Sequence, residues 1–180
     1  MGTNNILERT KLFESVFQKH GSDKFEHGYA KYYAQYLPEN PRSILEIGVK
    51  QGASIRAWKE LFPDAFICGY DLFNEFPIPK IEGVLFVKGN QRDVERLTDI
   101  GAMDFEVVID DGSHNARGQM ISFYTLAKKG MLYFIEDVHC NEEEFYSQGL
   151  PSHFRAINML SFWNEPVDSL SNKSKLMFLS

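Results

Sequence analysis

Two short segments of the sequence place acids beside a histidine. They read VVIDDGSH and YFIEDVH, and their polar residues include Asp110, Asp111, His114, Glu136, Asp137 and His139. Where such segments follow neighbouring parallel strands, which lie about 4.8 Å apart, their carboxylates can converge on one cation. Three hard oxygen ligands suit Mg²⁺ or a similar ion, which keeps coordination positions open for substrate hydroxyls. An imidazole beside that cation suits proton removal at neutral pH, so the segments predict metal-assisted base catalysis.

Each of these residues also has a purely structural interpretation. The acids can cap the helices that follow them, because the helix dipole stabilises negative charge at its N-terminus. His114 can be a loop histidine that hydrogen-bonds to the backbone. His139 can be a neighbour of the metal ligands, a substrate contact or a surface residue, and the sequence does not decide among these.

A glycine-containing turn precedes both segments. Its pattern is Glu46-x-Gly48-x-x-x-Gly52, and Asp71 follows at the end of the next apolar run. Glycine lets a ligand approach the backbone, and an acid on the second strand can accept both hydroxyls of a ribose. The pattern is not G-x-G-x-x-G, so it favours a nucleoside cofactor without a bound pyrophosphate, such as S-adenosylmethionine. The alternatives are an ordinary tight turn and a capping carboxylate.

The elements that must position these residues alternate between strand and helix. Compact apolar runs predict buried parallel strands, and apolar residues spaced by three and four predict helices. The strands are Ser43–Val49, AFICGYD, VLFVKGN, FEVVIDD and MLYFIED; the helices are Ile6–His20, Tyr29–Leu37, Ser54–Leu61, Gln91–Ile100, Ala116–Lys129 and Glu142–Phe162. This order predicts an α/β sheet with helices on both faces. Ligands bind beyond the carboxyl ends of the strands in such a sheet, which is where the acids, glycines and histidines fall.

Composition narrows the class of protein further. The chain has 180 residues with 25 acidic and 19 basic side chains, a formal charge of −6. This size predicts one domain, and the negative charge disfavours a nucleic-acid partner or an anionic membrane. No apolar run reaches the ~20 residues of a membrane span. Cys68 and Cys140 lack C-x-x-C spacing and no secretory signal is recognised, so we predict a reducing, cytoplasmic location.

The ordered motifs resemble those of one enzyme group. They are GSDK at 21–24, HGYAKYY at 27–33, LEIGVKQGASIRAW at 45–58, GYDL at 69–72, IDDGSH at 109–114 and FIEDVH at 134–139. Together they resemble the class I S-adenosylmethionine-dependent O-methyltransferases of the macrocin and mycinamicin sugar type, relatives of the cephalosporin-hydroxylase-like proteins. The resemblance implies a Rossmann-like, mostly parallel sheet, a divalent cation that is usually Mg²⁺, and methyl transfer to a sugar hydroxyl.

The resemblance also implies roles for individual residues. Asp111, Glu136 and Asp137 are expected to be metal ligands, and His114 is expected to be the base. The expected cofactor contacts are Ser22, Lys24, Glu46, Gly48, Gly52, Asp71, Asn90 and Asp110. Residues 1–40 would form a helical segment that covers cofactor and substrate, with Tyr29 and Tyr33 as lid or substrate residues, and residues 41–180 would form the S-adenosylmethionine-binding core.

Some features depart from the group. Ala53 replaces a common glycine, and GNQRD lacks the acid expected directly after Gly89. SKLMFLS predicts a sixth strand, after which the chain ends without the usual antiparallel seventh strand, so that the fold is either truncated or minimal. A sheet edge left exposed in this way would be covered by a second copy, and we predict a homo-oligomer, a dimer or higher.

Three rival functions stay open at this point. The first is a nicotinamide-dependent oxidoreductase that uses Asp71, and the second is a non-catalytic S-adenosylmethionine-binding or assembly protein. The third, a metal-dependent hydrolase, would leave the glycine turn and Asp71 without a purpose. Within the methyltransferase hypothesis the acceptor is a small hydroxylated molecule, either a sugar or a catechol-like vicinal diol.

Overall fold

The described residues form a seven-stranded sheet flanked by helices. The structure is a computed structural model, and it describes residues 3–138 together with 159–161 and 177–179. The strands are β1 (Ser43–Ile47), β2 (Phe66–Asp71), β3 (Val84–Lys88), β4 (Val107–Asp110), β5 (Leu132–Ile135), β6 (Met159–Ser161) and β7 (Met177–Leu179). The helices are α1 (Thr3–His20), α2 (Ala30–Tyr36), α3 (Ala53–Leu61), α4 (Val94–Gly101) and α5 (Ala116–Leu126).

The order of strands creates a crevice between β1 and β4. Along the sheet the order is β3-β2-β1-β4-β5-β7-β6, with β1 to β5 parallel and β7 antiparallel to both neighbours. From β1 the chain runs outward on one side to β2 and β3, and it then crosses back to place β4 on the other side of β1. The strand order therefore reverses between β1 and β4. Ile47 pairs with Asp110 in register, which brings the glycine turn beside the first acidic segment. The predicted α/β class is confirmed.

Two sequence predictions about the C-terminal part are wrong. The seventh strand is not lacking, because the SKLMFLS segment contains β7 and an additional strand, β6, pairs with it. Strand β6 falls inside the predicted helix 142–162; the rest of that helix lies outside the described residues. A strand of three residues is too short to display a period of two, so only its pairing with β7 reveals it.

The sheet separates two apolar layers, because successive strand residues point to opposite faces. On one face Ile44 packs with helices α1 to α3; on the other face Leu45 packs with α4 and α5. Trp58 lies at the centre of the first layer, with its ring centroid 4.9 Å from that of Tyr33 and 5.0 Å from that of Phe17. The N-terminal helices thus share a core with the sheet, which fixes the segment between them at the sheet edge.

The lengths and compositions of the helices bear on the membrane prediction. Within residues 3–138 and the two short strands, no helix combines the length and the apolar character needed to cross a bilayer.

Candidate active site

Strand β4 ends with a buried carboxylate that faces the interior. Asp110 is fully buried and accepts hydrogen bonds from Gln91 Nε2 at 2.6 Å, from Tyr133 OH at 3.3 Å and from the Ser122 hydroxyl. Burial raises its pKa to about 6, although these hydrogen bonds oppose the rise. Gln91 in turn accepts from the Ser113 backbone N–H at 2.8 Å. Asp110, a predicted cofactor contact, lines neither of the two cavities described below and supports the loop from the interior.

Three side chains of the two acidic segments meet at the sheet edge. One ligand atom each of Asp111, His114 and Asp137 lies within 4.8 Å of the others. His114 Nε2 is 3.4 Å from Asp111 Oδ1, and its Nδ1 is 3.3 Å from Asp137 Oδ2. Both His114 and Asp137 have positive φ angles, 52° and 50°, a backbone conformation that is uncommon for residues other than glycine. This arrangement is the candidate cation site.

The electrostatics of this cluster favour a negative charge on Asp111 and a positive charge on His114. Burial alone would raise the pKa of Asp111, but the ammonium of Lys24 and the bond to His114 outweigh it and lower that pKa to about 2. The hydrogen bond to Asp111 raises the pKa of His114, against the opposing effect of burial. The site therefore holds an anionic oxygen where a cation would bind, beside an imidazole with strengthened affinity for a proton.

Glu136 lies outside this group. Lys24 Nζ contacts its carboxylate at 2.9 Å, and the Tyr33 hydroxyl donates to its Oε1. Burial raises its pKa well above the ordinary value despite the opposing charge of Lys24. The three predicted metal ligands therefore do not form one set in this structure, since His114 takes the place expected for Glu136 beside Asp111 and Asp137.

The sequence predicts that Lys24 contacts the cofactor. In the structure its side chain lies in the interior, below the carboxyl ends of the strands. Its side chain is completely buried, and Nζ contacts Asp111 Oδ2 and Glu136 at 2.9 Å and Glu46 Oε1 at 3.1 Å. Burial would lower its pKa, but the three carboxylates outweigh burial and raise it well above the ordinary value. Nothing in GSDK signals this, because the acids that neutralise Lys24 are far away along the chain.

Glu46 shares this buried environment. Trp58 Nε1 donates to Glu46 Oε2 at 3.0 Å, and Lys24 contacts the other oxygen. Burial raises the pKa of Glu46 to about 6, although the charge of Lys24 opposes this. Glu46 lines neither cavity of the site, so the structure places this predicted cofactor contact in the core.

The two tyrosines predicted to cover the ligand are also buried. Tyr29 and Tyr33 have no exposed surface, and the Tyr29 hydroxyl donates to Asp137 Oδ1 at 2.7 Å. His27 Nδ1 lies 3.4 Å from the same oxygen. The segment from Gly21 to Tyr33 thus orients the acids of the site from within and is not a lid made of these rings.

The glycine turn brings the backbone of β1 against the loop after β4. Gly48 has φ 89°, and a Cβ atom there would lie 1.9 Å from the carbonyl oxygen of Asp111, so only glycine fits. Gly52, with φ 79°, forms the N-cap of α3. Asp71 Oδ2 accepts from the backbone N–H of Val49 at 2.6 Å and of Lys50 at 2.9 Å. The carboxylate predicted to bind ribose therefore also holds the turn in place.

Two adjacent cavities open at this edge. The larger, about 470 Å³, is lined by Asp71, Asn90 and the β2–β3 loop, and the smaller, about 290 Å³, is lined by Ser22 and the start of α3. The residues that line both are Gly48, Lys50, Phe76 and Asp111. The Ser22 Oγ is buried and has no hydrogen-bond partner among the described residues, so it can serve a ligand in the smaller cavity.

Sequence reasoning missed Lys50 and Phe76 as cavity residues. The signal available for Phe76 was the long, proline-containing connection between two predicted strands at the ligand edge. His139, whose role the sequence left open, lies outside the described residues.

The comparisons with known proteins identify relatives. No protein-family model matches the chain. It is 32% identical over 122 residues to the mycinamicin VI 2''-O-methyltransferase of Micromonospora griseorubida, covering 61% of this chain and 30% of that protein. It is 34% identical over 122 residues to the demethylmacrocin O-methyltransferase of Streptomyces fradiae, with the same coverages of 61% and 30%. The chain spans about a third of the length of the curated relatives it matches.

Solved structures share its fold. The MycE methyltransferase of the mycinamycin pathway, solved with Mg, SAH and mycinamycin VI, superposes with a TM-score of 0.66 at 23% identity and covers 93% of this chain and 54% of MycE. Human methyltransferase-like protein 13 with SAH gives 0.50 at 10% identity, covering 79% of this chain and 72% of that one. The chain thus has a Rossmann-like methyltransferase fold and is a homologue of the mycinamicin, macrocin and tetracenomycin O-methyltransferases.

Proposed function

We propose that this chain is an S-adenosylmethionine-dependent O-methyltransferase acting on a small molecule, at a hydroxyl of a sugar or another vicinal diol. The observation that carries the proposal is the position of Asp111, which lines both cavities and belongs to the candidate cation site. A cofactor in the cavities would lie directly against groups able to hold a cation and accept a proton. The named activities of the relatives support the same reaction.

The lining of the cavities fits S-adenosylmethionine. The cofactor would supply an electrophilic methyl group on sulfur. Asp71 and Asn90 line the larger cavity, where a nucleoside would find a carboxylate and an amide. Ser22 and Gly48 line the smaller one, where the buried Ser22 hydroxyl awaits a polar partner. Lys24, Glu46 and Asp110 are proposed to support this surface without touching the cofactor.

The candidate cation site fits Mg²⁺ or a similar ion. Asp111 and Asp137 are proposed carboxylate ligands, each with one oxygen facing the cluster centre, and Glu136, whose carboxylate contacts Lys24 in this structure, stays the third predicted ligand. Carboxylate oxygens are the ligands Mg²⁺ prefers, and it retains waters that substrate hydroxyls can replace. When bound, the ion would orient two neighbouring acceptor oxygens and lower the pKa of one.

His114 is the proposed base. Its imidazole is half-buried beside Asp111 and Asp137, and its raised pKa makes it a stronger proton acceptor. In the proposed step the acceptor oxygen forms a bond to the methyl carbon as the carbon–sulfur bond breaks. The hydroxyl proton passes to a ring nitrogen of His114, and the sulfur leaves as the neutral thioether of S-adenosylhomocysteine.

Further predictions from the sequence stay proposals. We infer a cytoplasmic protein that forms a dimer or larger homo-oligomer, divided into a covering segment of residues 1–40 and a core of residues 41–180. The packing of α1 and α2 in the same apolar layer as α3 supports a fixed position for that segment.

Calorimetric titration and a turnover assay test the proposed function. The full chain is titrated with S-adenosylmethionine, S-adenosylhomocysteine and NAD, each with Mg²⁺ or EDTA, and radiolabelled methyl transfer is then measured on a panel of sugars and catechols. We expect binding of the first two ligands only. His114→Ala should lose at least about a hundredfold in turnover while keeping cofactor affinity.

His20→Ala, which alters a histidine paired with Glu60 on the surface, is the matched control and should keep its turnover. Cofactor binding without transfer to any acceptor would favour the non-catalytic binding protein, and a response to NAD alone would favour the oxidoreductase.

A further inference from the structure

An aromatic side chain, Phe76, lies where the two cavities meet. Of the four described residues that line both cavities, Gly48 has no side chain, and Lys50 and Asp111 are charged. Phe76 is the one of these four with an apolar side chain, and it is partly buried. A ligand that occupies both cavities therefore passes this residue at their junction.

The loop that carries this ring, between β2 and β3, is held at both ends. At its start Asp71 Oδ1 accepts from the Phe73 backbone N–H at 3.3 Å, and the Phe73 ring packs edge-to-face on Phe86 with centroids 6.1 Å apart. Near its end Pro79 packs closely on Gly52, where a Cβ atom would lie 3.0 Å from Pro79 Cγ. These contacts hold the middle of the loop beside the cavities, which reduces the ordering that a ligand must impose.

The lining of each cavity decides which part of the cofactor reaches the junction. In the proposed function Asp71 and Asn90 of the larger cavity receive the nucleoside. Ser22, whose buried hydroxyl lacks a partner among the described residues, suits the polar amino-acid end in the smaller cavity. The sulfur of S-adenosylmethionine connects these two parts, so the same assignment puts the sulfur at the junction. That sulfur is positively charged before methyl transfer and neutral afterwards.

The two charged residues at the junction are not suited to recognise this sulfonium. Lys50 repels a cation, and its Nζ lies 3.6 Å from Asp23 Oδ2. Asp111 is an anion, but its Oδ2 accepts from Lys24 at 2.9 Å and its Oδ1 lies 3.4 Å from His114 Nε2. Since both charges already have partners, the aromatic ring is the junction group best placed to attract the sulfonium.

We propose that Phe76 is a specificity-determining residue: its ring attracts the sulfonium and so favours S-adenosylmethionine over the product S-adenosylhomocysteine. The quadrupole of an aromatic ring attracts a cation near its face, and the neutral sulfur of the product lacks that charge. The inference rests on the proposed function, since it assumes that S-adenosylmethionine fills both cavities. The ring would thus favour exchange of the product for new cofactor.

Affinities for three ligands separate attraction to the charge from simple packing. The full chain is titrated calorimetrically, in EDTA so that no metal ion contributes, with S-adenosylmethionine, S-adenosylhomocysteine and sinefungin, in which a carbon bearing an ammonium group replaces the sulfonium. Phe76→Leu keeps an apolar side chain but removes the ring. We expect it to bind the two ligands charged at this position about three- to tenfold more weakly and to bind S-adenosylhomocysteine within about twofold of the wild type. Phe76→Tyr, which keeps the ring, should bind all three ligands like the wild type.

Phe66→Leu is the matched control, because Phe66 is exposed at the start of β2 and stacks on Phe105. It should leave all three affinities unchanged, and near-ultraviolet circular dichroism checks the folding of each variant. If the ratio of the S-adenosylmethionine and S-adenosylhomocysteine affinities in Phe76→Leu equals that of the wild type, whether both fall or neither does, the role of Phe76 is overturned and the proposed function stays intact. Failure of the wild type to bind S-adenosylmethionine would overturn the proposed function together with this inference.

A wild-type crystal structure with sinefungin tests the contact without any variant. The ammonium nitrogen that replaces the sulfonium methyl should lie over the face of the Phe76 ring, within about 6 Å of its centroid. A ring turned away from the ligand, or a nitrogen beyond that distance, would overturn the proposal.

Discussion

Replacement of Glu46 by glutamine should change how the stability of the protein depends on pH. Glu46 has no exposed surface, and burial raises its pKa to about 6 from an ordinary value of 4.5. The folded state therefore keeps this proton at a pH where the unfolded chain has lost it. Stability from this group is complete below pH ~4.5 and is lost as the pH rises to ~6.

The size of the effect follows from the two pKa values. The difference between about 6 and 4.5 corresponds to about 2 kcal/mol in the free energy of unfolding. Glutamine has nearly the same shape and an oxygen that can still accept from Trp58 Nε1, but it does not titrate. The stability of the wild type minus that of Glu46→Gln should therefore fall by about 2 kcal/mol between pH 4.5 and pH 7.

Urea unfolding without added metal, followed by circular dichroism at half-unit steps of pH, measures this difference. The change with pH is the observable, because the amide alters the contact with Lys24 at every pH. Glu82→Gln, the same substitution at an exposed position, is the control. A difference that stays constant or grows as the pH rises would refute the assignment of Glu46 as a buried acid with a raised pKa.

The other predictions concern the turn, the anchored acid and the buried thiol. Gly48→Ala should destabilise the protein by more than about 3 kcal/mol in urea unfolding, because its Cβ would meet the Asp111 carbonyl at 1.9 Å and its φ is 89°. An unchanged unfolding midpoint would contradict the tight contact. Tyr29→Phe should cost about 1–3 kcal/mol and weaken Mn²⁺ binding, since Asp137 Oδ1 loses its donor; unchanged Mn²⁺ affinity would contradict the anchoring role. Cys68 is buried and its pKa is raised to about 12, so mass spectrometry should find it unmodified by iodoacetamide at pH 8 until urea unfolds the chain, and rapid native labelling would show that the thiol is accessible.

The sequence by itself determined the elements and the edge of the sheet that carries the chemistry. Apolar runs and helical spacing are local patterns, so the five parallel strands and the position of Asp111 and His114 at a strand end could be predicted from neighbouring residues alone. The glycine at position 48 was likewise recognisable from its place between a strand and a helix.

The tertiary structure alone decided which of these groups face a ligand and which face each other. Lys24 neutralises Glu136 from 112 positions away, and Tyr33 reaches the same carboxylate across 103. Such pairings depend on how α2 and the turn after α1 pack against the sheet. No periodic pattern in the sequence encodes contacts between residues so far apart along the chain. Burial, which raises the pKa values of Glu46 and Glu136, is a property of the assembled core.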